Sequence, residues 1–137
     1  MLREFVLPGD FEQYVDGLPR RDGVRSFRVS SSDNATDVLT SAGILDLFEV
    51  VVDGLVAARE HLAGKPAPDT FLAGARALGA EPAQAAVFED AIAGVEAGRA
   101  GGFGRVVGVD RTGHAEALRA HGADVVVRDL AELLEQP

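Results

Sequence analysis

From position 27 onward the chain changes hydrophobic period in a repeating way. Short all-apolar runs give way to stretches whose apolar residues recur at three and four. Phe27-Arg28-Val29 predicts a strand that ends in Ser30-Ser31-Ser32-Asp33-Asn34, after which Ala35, Val38, Leu39 and Ala42 have helical spacing up to Gly43. Glu49-Val50-Val51-Val52 predicts a second strand, followed by an irregular stretch through Gly64. Phe71, Leu72, Ala75 and Leu78 form the apolar stripe of a helix closed by Gly79. Residues 85–88 are a third buried strand, residues 91–101 a small-residue helix and Arg105-Val106-Val107-Gly108-Val109 a fourth strand. A helix over 114–121, a strand over 124–127 and a last helix over 129–134 complete the pattern. Strand and helix alternate with short connections, so the predicted fold is α/β, a Rossmann-like three-layer arrangement of a mostly parallel sheet with helices on both faces.

Residues 1–27 break this rhythm. Leu2, Phe5, Val6 and Leu7 are apolar, but Pro8-Gly9-Asp10 and the stretch from Gly17 to Gly23 interrupt any long element, leaving short helical turns at 11–15 and 23–27 as the expectation. The helix at 91–101 carries Gly94, Gly98 and Gly101, each interior glycine costing roughly 1 kcal/mol relative to alanine. Close packing of helix on sheet is the expected compensation, ahead of backbone approach to a ligand.

Composition narrows the partners. With 137 residues and 47% hydrophobic content the chain has the size of one domain with a real core. A formal net charge of -9 argues against a nucleic-acid backbone or an anionic membrane surface as partner, and a bound cation would offset part of it. There is no Cys, which removes thiol catalysis and thiolate metal sites. No apolar run approaches a bilayer span and the start lacks a signal-like apolar stretch, so the expected location is the cytoplasm.

The chemistry is concentrated where strands end. Glu89 and Asp90 follow a buried strand directly, where open α/β sheets bind ligands and where hard oxygen donors suit Mg²⁺; acids opening a helix also complement its macrodipole, and the pair alone is consistent with either role. The serine run after the first strand supplies either an N-cap or an anion site. Lys65, in Gly64-Lys65-Pro66-Ala67-Pro68-Asp69, precedes a helix, the end at which a cation is disfavoured, and this mismatch points toward function. Other motifs fail: the glycines of 98–108 follow a helix rather than open one, no P-loop or G-x-S-x-G run exists, and His114 and His121 are seven apart on one helix, as two exposed positions would be. In a parallel sheet Ser30, Lys65, Glu89 and Asp90 emerge on one edge, forming a phosphate-plus-Mg²⁺ constellation.

These motifs resemble the haloacid dehalogenase-like superfamily, in its β-phosphoglucomutase-like branch. Val29-Ser30-Ser31-Ser32-Asp33-Asn34 is similar to the family's second motif, Gly64-Lys65-Pro66-Ala67-Pro68-Asp69 to its third, and Val87-Phe88-Glu89-Asp90-Ala91 with Gly94, Ala97, Gly101 and Gly102 to its fourth. The resemblance implies phosphoryl binding by Ser30, Ser31, Asn34 and Lys65, with Ser30 and Lys65 catalytic, and Mg²⁺ binding by Glu89 and Asp90. It implies a small phosphorylated sugar as substrate and a phosphatase or a mutase (isomerase) as the activity. Residues 14–25 resemble a piece of that branch's helical cap, so 1–27 are expected to be a cap remnant and 28–137 the core.

Two departures accompany the likeness. The family's first motif, a strand ending in Asp-x-Asp-Gly that supplies the nucleophile, is absent; Asp10, Asp53 and Asp110 lack that pairing. In the family that strand lies between those carrying the second and fourth motifs, so an incomplete core with open inner edges is expected. Only Arg28 and Val29 separate Phe27 from Ser30, where the family inserts most of its cap. An incomplete, inactive enzyme is the leading expectation. The competing one is a non-catalytic phosphate and metal-binding module, for instance a receiver-like regulatory domain, although in receivers the acidic pair precedes the lysine.

Overall fold

Short apolar β-branched runs gather into one sheet of six strands in the computed structural model, which describes residues 4–8, 27–29, 37, 40–43 and 50–134. The strands are β1 (Glu4–Pro8), β2 (Phe27–Val29), β3 (Val50–Val52), β4 (Ala85–Glu89), β5 (Arg105–Val109) and β6 (Val125–Val127), in spatial order β3-β2-β1-β4-β5-β6. β2 pairs with β3, β4 with β5 and β5 with β6 in parallel, as short helical crossovers require. The helices are α1 (Gly54–Arg59), α2 (Asp69–Leu78), α3 (Ile92–Ala100) and α4 (Ala115–Ala120), with 3₁₀ turns at Pro82–Gln84 and Leu130–Leu134.

The place left open by the resemblance is filled. β1 lies between β2 and β4 and pairs with both, but it runs antiparallel to each. Its first residue, Glu4, is in register with Glu89, and its last, Pro8, with Ala85. The backbone groups of β2 and β4 that an open centre would leave unpaired therefore have partners. The start of the arm is thus a sheet strand, and Phe27, at the end of the 23–27 stretch expected to be helical, is extended in β2; the turns expected at 11–15 and 23–26 and the cap-like residues 14–25 lie outside the described residues.

Two further expectations are corrected. The stretch after β3 holds helix α1, because Asp53 accepts the N–H of Val56 at 2.9 Å and caps Leu55-Val56-Ala57-Ala58-Arg59, a run of mostly good helix formers. At the other end, residues 130–134 wind as a 3₁₀ turn rather than an α-helix. Elsewhere the predicted elements stand to within a residue or two. Gly79 ends α2 with φ of 68°, the left-handed cap its position requires. Asp37, Thr40 and Ser41 are helical and Gly43 has φ of 70°, as the reading of 35–43 expects.

Among the described residues the α-helices pack on one face of the sheet and the 3₁₀ turn at Leu130–Leu134 on the other. Phe71, Ala75 and Leu78 of α2, Val95 and Ala97 of α3 and Leu118 of α4 pack with Val29, Val52, Val87 and Val106 on one side. Ala86, Phe88, Val107, Val109 and Val127 meet Leu133 on the other. The period-2 alternation along β4 divides its residues between these two cores, and Glu89 continues the Ala85, Val87 series under α3. Gly98 shows why glycines are placed in α3: a Cβ there would lie 3.2 Å from Val106 and 3.3 Å from Val87. Phe71 and Phe103 meet edge to face at 6.0 Å beside this contact.

Candidate functional site

The parallel strands β2 to β6 all end on one edge of the sheet, and the sequence places Ser30, Asp53, Glu89 and Asp110 at or just after those ends. Asp53 is absorbed by its cap on α1. Ser30, Ser31 and Asn34 lie outside the described residues, beyond the end of β2 at Val29.

Lys65 and Glu89 are brought together. The Lys65 Nζ donates to Glu89 Oε1 at 2.5 Å, the lysine side chain being 16% exposed and the glutamate fully buried. Charged carboxylates are buried only when paired, and this one is paired with a residue 24 positions earlier in the chain. Its other oxygen, Oε2, accepts the backbone N–H of Ala91 at 3.2 Å. The Lys65 ammonium also stands 5.0 Å from the Phe71 ring centroid, within cation–π range. A lysine ahead of a helix is thus explained by its partner on β4. The Lys65-Pro66 peptide bond is cis.

Gly94 completes the setting of Glu89. A Cβ at this position would lie 2.0 Å from Glu89 Cδ, so the first turn of α3 is glycine where the carboxyl group needs room. Packing compensates for Gly98 as expected, whereas at Gly94 the space is filled by a site side chain.

Asp90 differs from its neighbour. Its side chain is 20% exposed, and Oδ2 lies 3.6 Å from Nε of Arg111. Its backbone carbonyl receives Nε2 of His114 at 3.2 Å. A carbonyl only accepts, so this contact assigns a proton to Nε2; in the neutral ring Nδ1 then accepts the Thr112 hydroxyl, 2.6 Å away. Arg111 and His114 belong to the turn after β5, which is built on Asp110: its Oδ1 accepts the backbone N–H of Thr112 at 3.3 Å, Gly113 at 2.7 Å and His114 at 2.9 Å. The His114 N–H above all, with those of Gly113 and Thr112 and the His114 ring when charged adding to it, holds the Asp110 carboxyl below its ordinary value of 3.8, while burial pulls the other way.

A depressed folded pKa contributes stability that is complete above the unfolded value and is lost as pH falls through the folded one. Asp110→Asn should therefore remove part of the acid limb of the stability curve below about pH 4 and leave the slope at neutral pH unchanged. Urea unfolding across pH checks this, and an acid limb identical in both proteins would refute the role given to the carboxyl group.

Arg111 and His114 are the site-edge residues that spacing did not reveal, since His114 reads as an exposed helix position. The available signal was topological: Asp110-Arg111-Thr112-Gly113-His114 follows a parallel strand and so opens onto the same edge as Glu89 and Asp90. His121 is elsewhere, 2.6 Å from Glu96 on the helical surface. Among the described residues no group of three or more His, Cys, Asp or Glu gathers as a metal site. The donor chemistry of Glu89 and Asp90, adjacent hard carboxylates at a strand end with Glu89 set in the space above Gly94, still fits a divalent cation of the Mg²⁺ kind.

Comparison with known proteins bears on the family and the fold. The chain is 59% identical over 138 residues to a protein named Beta-phosphoglucomutase from Mycobacterium bovis, a match that covers 94% of this chain and 53% of that protein. It is 44% identical over 102 residues to Validoxylamine A 7'-phosphate phosphatase from Streptomyces hygroscopicus subsp. limoneus, covering 74% of this chain and 44% of the relative. Among solved structures, a β-phosphoglucomutase from Clostridium difficile superposes with a TM-score of 0.65 at 28% identity, covering 94% of this chain and 55% of that one. The chain thus spans about half the length of these relatives. A family model described as haloacid dehalogenase-like hydrolase matches residues 5–102, more than half of the sequence, and the chain belongs to that family.

Proposed function

We infer that this chain carries the phosphoryl- and cation-binding side of a Mg²⁺-dependent site for phosphoryl transfer on a small phosphorylated sugar. The observation that carries the reading is the Lys65–Glu89 pair beside Asp90, a half-buried cation and two carboxylates on the ligand-binding edge of an α/β sheet. Relatives named Beta-phosphoglucomutase and Validoxylamine A 7'-phosphate phosphatase support the substrate class.

In this reading Asp90 is the principal cation ligand, since its carboxyl group meets solvent, and Glu89 contributes from beneath while Lys65 fixes it. Mg²⁺ supplies charge neutralisation at the phosphoryl oxygens when bound. The Lys65 ammonium lowers the cost of bringing a dianionic phosphate to an edge that already holds two acids. Ser30, Ser31 and Asn34 donate to the phosphoryl oxygens. The His114 ring holds the Asp90 backbone so that its carboxylate keeps its direction.

Attack on phosphorus requires a nucleophile in line with the leaving oxygen, and no Asp-x-Asp-Gly stands in these 137 residues. The strand at the centre of the sheet instead runs in reverse, from Glu4 at the site edge to Pro8. This observation favours binding of a phosphorylated ligand without turnover by the chain alone. Phosphate release from a panel of sugar phosphates with Mg²⁺ is expected to stay at background. Release that disappears in Asp90→Asn would show that the chain holds a nucleophile of its own, and would overturn the binding-only reading while retaining phosphoryl transfer.

A further inference from the structure

Glu89 and Asp90 each have a cation, and the two pairs are built differently. Lys65 and Glu89 are hydrogen-bonded at 2.5 Å with the carboxylate fully buried. Arg111 and Asp90 meet at 3.6 Å, beyond hydrogen-bond length, with side chains 41% and 20% exposed. A long, half-exposed ion pair is held weakly, whereas a buried one is not readily opened. The backbone around the weak pair is firm. Asp110 ties the turn through three N–H groups, and His114 holds the Asp90 carbonyl. Among the described residues these contacts use backbone groups and the His114 ring rather than the Arg111 side chain, so they do not depend on its pairing with Asp90.

We propose that Arg111 is an exchangeable counter-ion of Asp90, neutralising the carboxylate while no divalent cation is there and giving up its place when one binds. This rests on the cation reading of Asp90 given above. The exchange sets cation affinity: part of the attraction between Asp90 and the metal is spent on separating Arg111. It also makes that affinity depend on salt in a way a permanent ligand set does not, because added salt screens the arginine first.

The test is calorimetric titration of the whole chain with Mg²⁺ alone at low salt, in wild type, Arg111→Gln and Arg111→Lys, together with the ¹⁵Nε resonance of Arg111 in metal-free protein. Arg111→Gln should bind Mg²⁺ about two- to fivefold more tightly, the range an exposed pair of this kind supports. Arg111→Lys should stay near wild type, and the difference should shrink at high salt. The Arg111 resonance should move both on adding Mg²⁺ and in Asp90→Asn. Equal or weaker binding by Arg111→Gln overturns the exchange, as does a resonance indifferent to Asp90→Asn; if wild type still binds Mg²⁺ in those cases, the cation site itself stands. A wild-type chain that takes up no Mg²⁺ overturns the cation site and the exchange with it.

Discussion

Lys65→Met is expected to lower the stability of the fold by about 3–5 kcal/mol, the usual consequence of removing one partner from a buried ion pair. The magnitude follows from the asymmetry of the pair: the lysine keeps slight access to solvent, but Glu89 has none. Without the ammonium the glutamate must either stay charged while fully buried beneath α3 or take up a proton, and both are costly. The loss should be largely reversed when the charge is removed from both sides. Lys65→Met combined with Glu89→Leu is expected to return to within about 1–2 kcal/mol of wild type, since apolar replacements of similar volume are often tolerated at such positions. Denaturant unfolding of the single and double variants separates the cases. Single losses below about 1 kcal/mol, or a double variant as unstable as the sum of its parts, would mean that the pair is not the buried contact described.

Gly94→Ala should be the second large effect, and its sign is the informative part. An alanine in the interior of a helix normally adds about 0.5–1 kcal/mol relative to glycine. Here the new methyl group would lie 2.0 Å from Glu89 Cδ, 2.3 Å from Oε1 and 2.4 Å from Oε2, and the carboxyl group is anchored by Lys65 and by the Ala91 N–H. Overpacking of this kind costs about 1–3 kcal/mol, and more if Glu89 is pushed off Lys65. In a Glu89→Ala background the obstacle is gone, and the same substitution should recover the ordinary helical gain. A similar cost in both backgrounds would locate the strain elsewhere. Gly98→Ala, whose nearest contacts are 3.2 and 3.3 Å, should be milder, because the Val106 and Val87 side chains need to give by only a few tenths of an ångström.

The second half of the chain was legible because its signals are local and agree with one another. Val106 to Val109 reads as a strand from composition alone, Gly79 closes α2 at the left-handed position a terminal glycine takes, and the acids Glu89 and Asp90 fall where a parallel strand must end. The pairing of Lys65 with Glu89 was implied by a shared sheet edge, though nothing in the spacing of residues 65 and 89 fixes a hydrogen bond. Helix α1 was missed because its N-cap, Asp53, also reads as an acid at a strand end.

β1 was opaque for a deeper reason. Phe5, Val6 and Leu7 have the same apolar character whichever way the strand runs, and its place in the sheet depends on partners 21 or more residues away rather than on local pattern. Arg111 and His114 were hidden differently. The turn on Asp110 brings them to Asp90 across 21 and 24 residues of sequence, and helical spacing assigns His114 to the surface. Local pattern thus locates elements and strand ends, whereas the direction of a central strand and the cations that reach a strand end are tertiary properties.

In the proposed function the edge formed by Lys65, Glu89 and Asp90 binds a phosphorylated sugar through a divalent cation. Its most direct test is calorimetric titration of the 137-residue chain with a hexose phosphate, in the presence of Mg²⁺ and again with the metal chelated, for wild type and Asp90→Asn. The expected result is binding by wild type with Mg²⁺, and none when either the metal or the Asp90 carboxylate is removed. Binding that is unchanged by chelation and by Asp90→Asn would contradict the account.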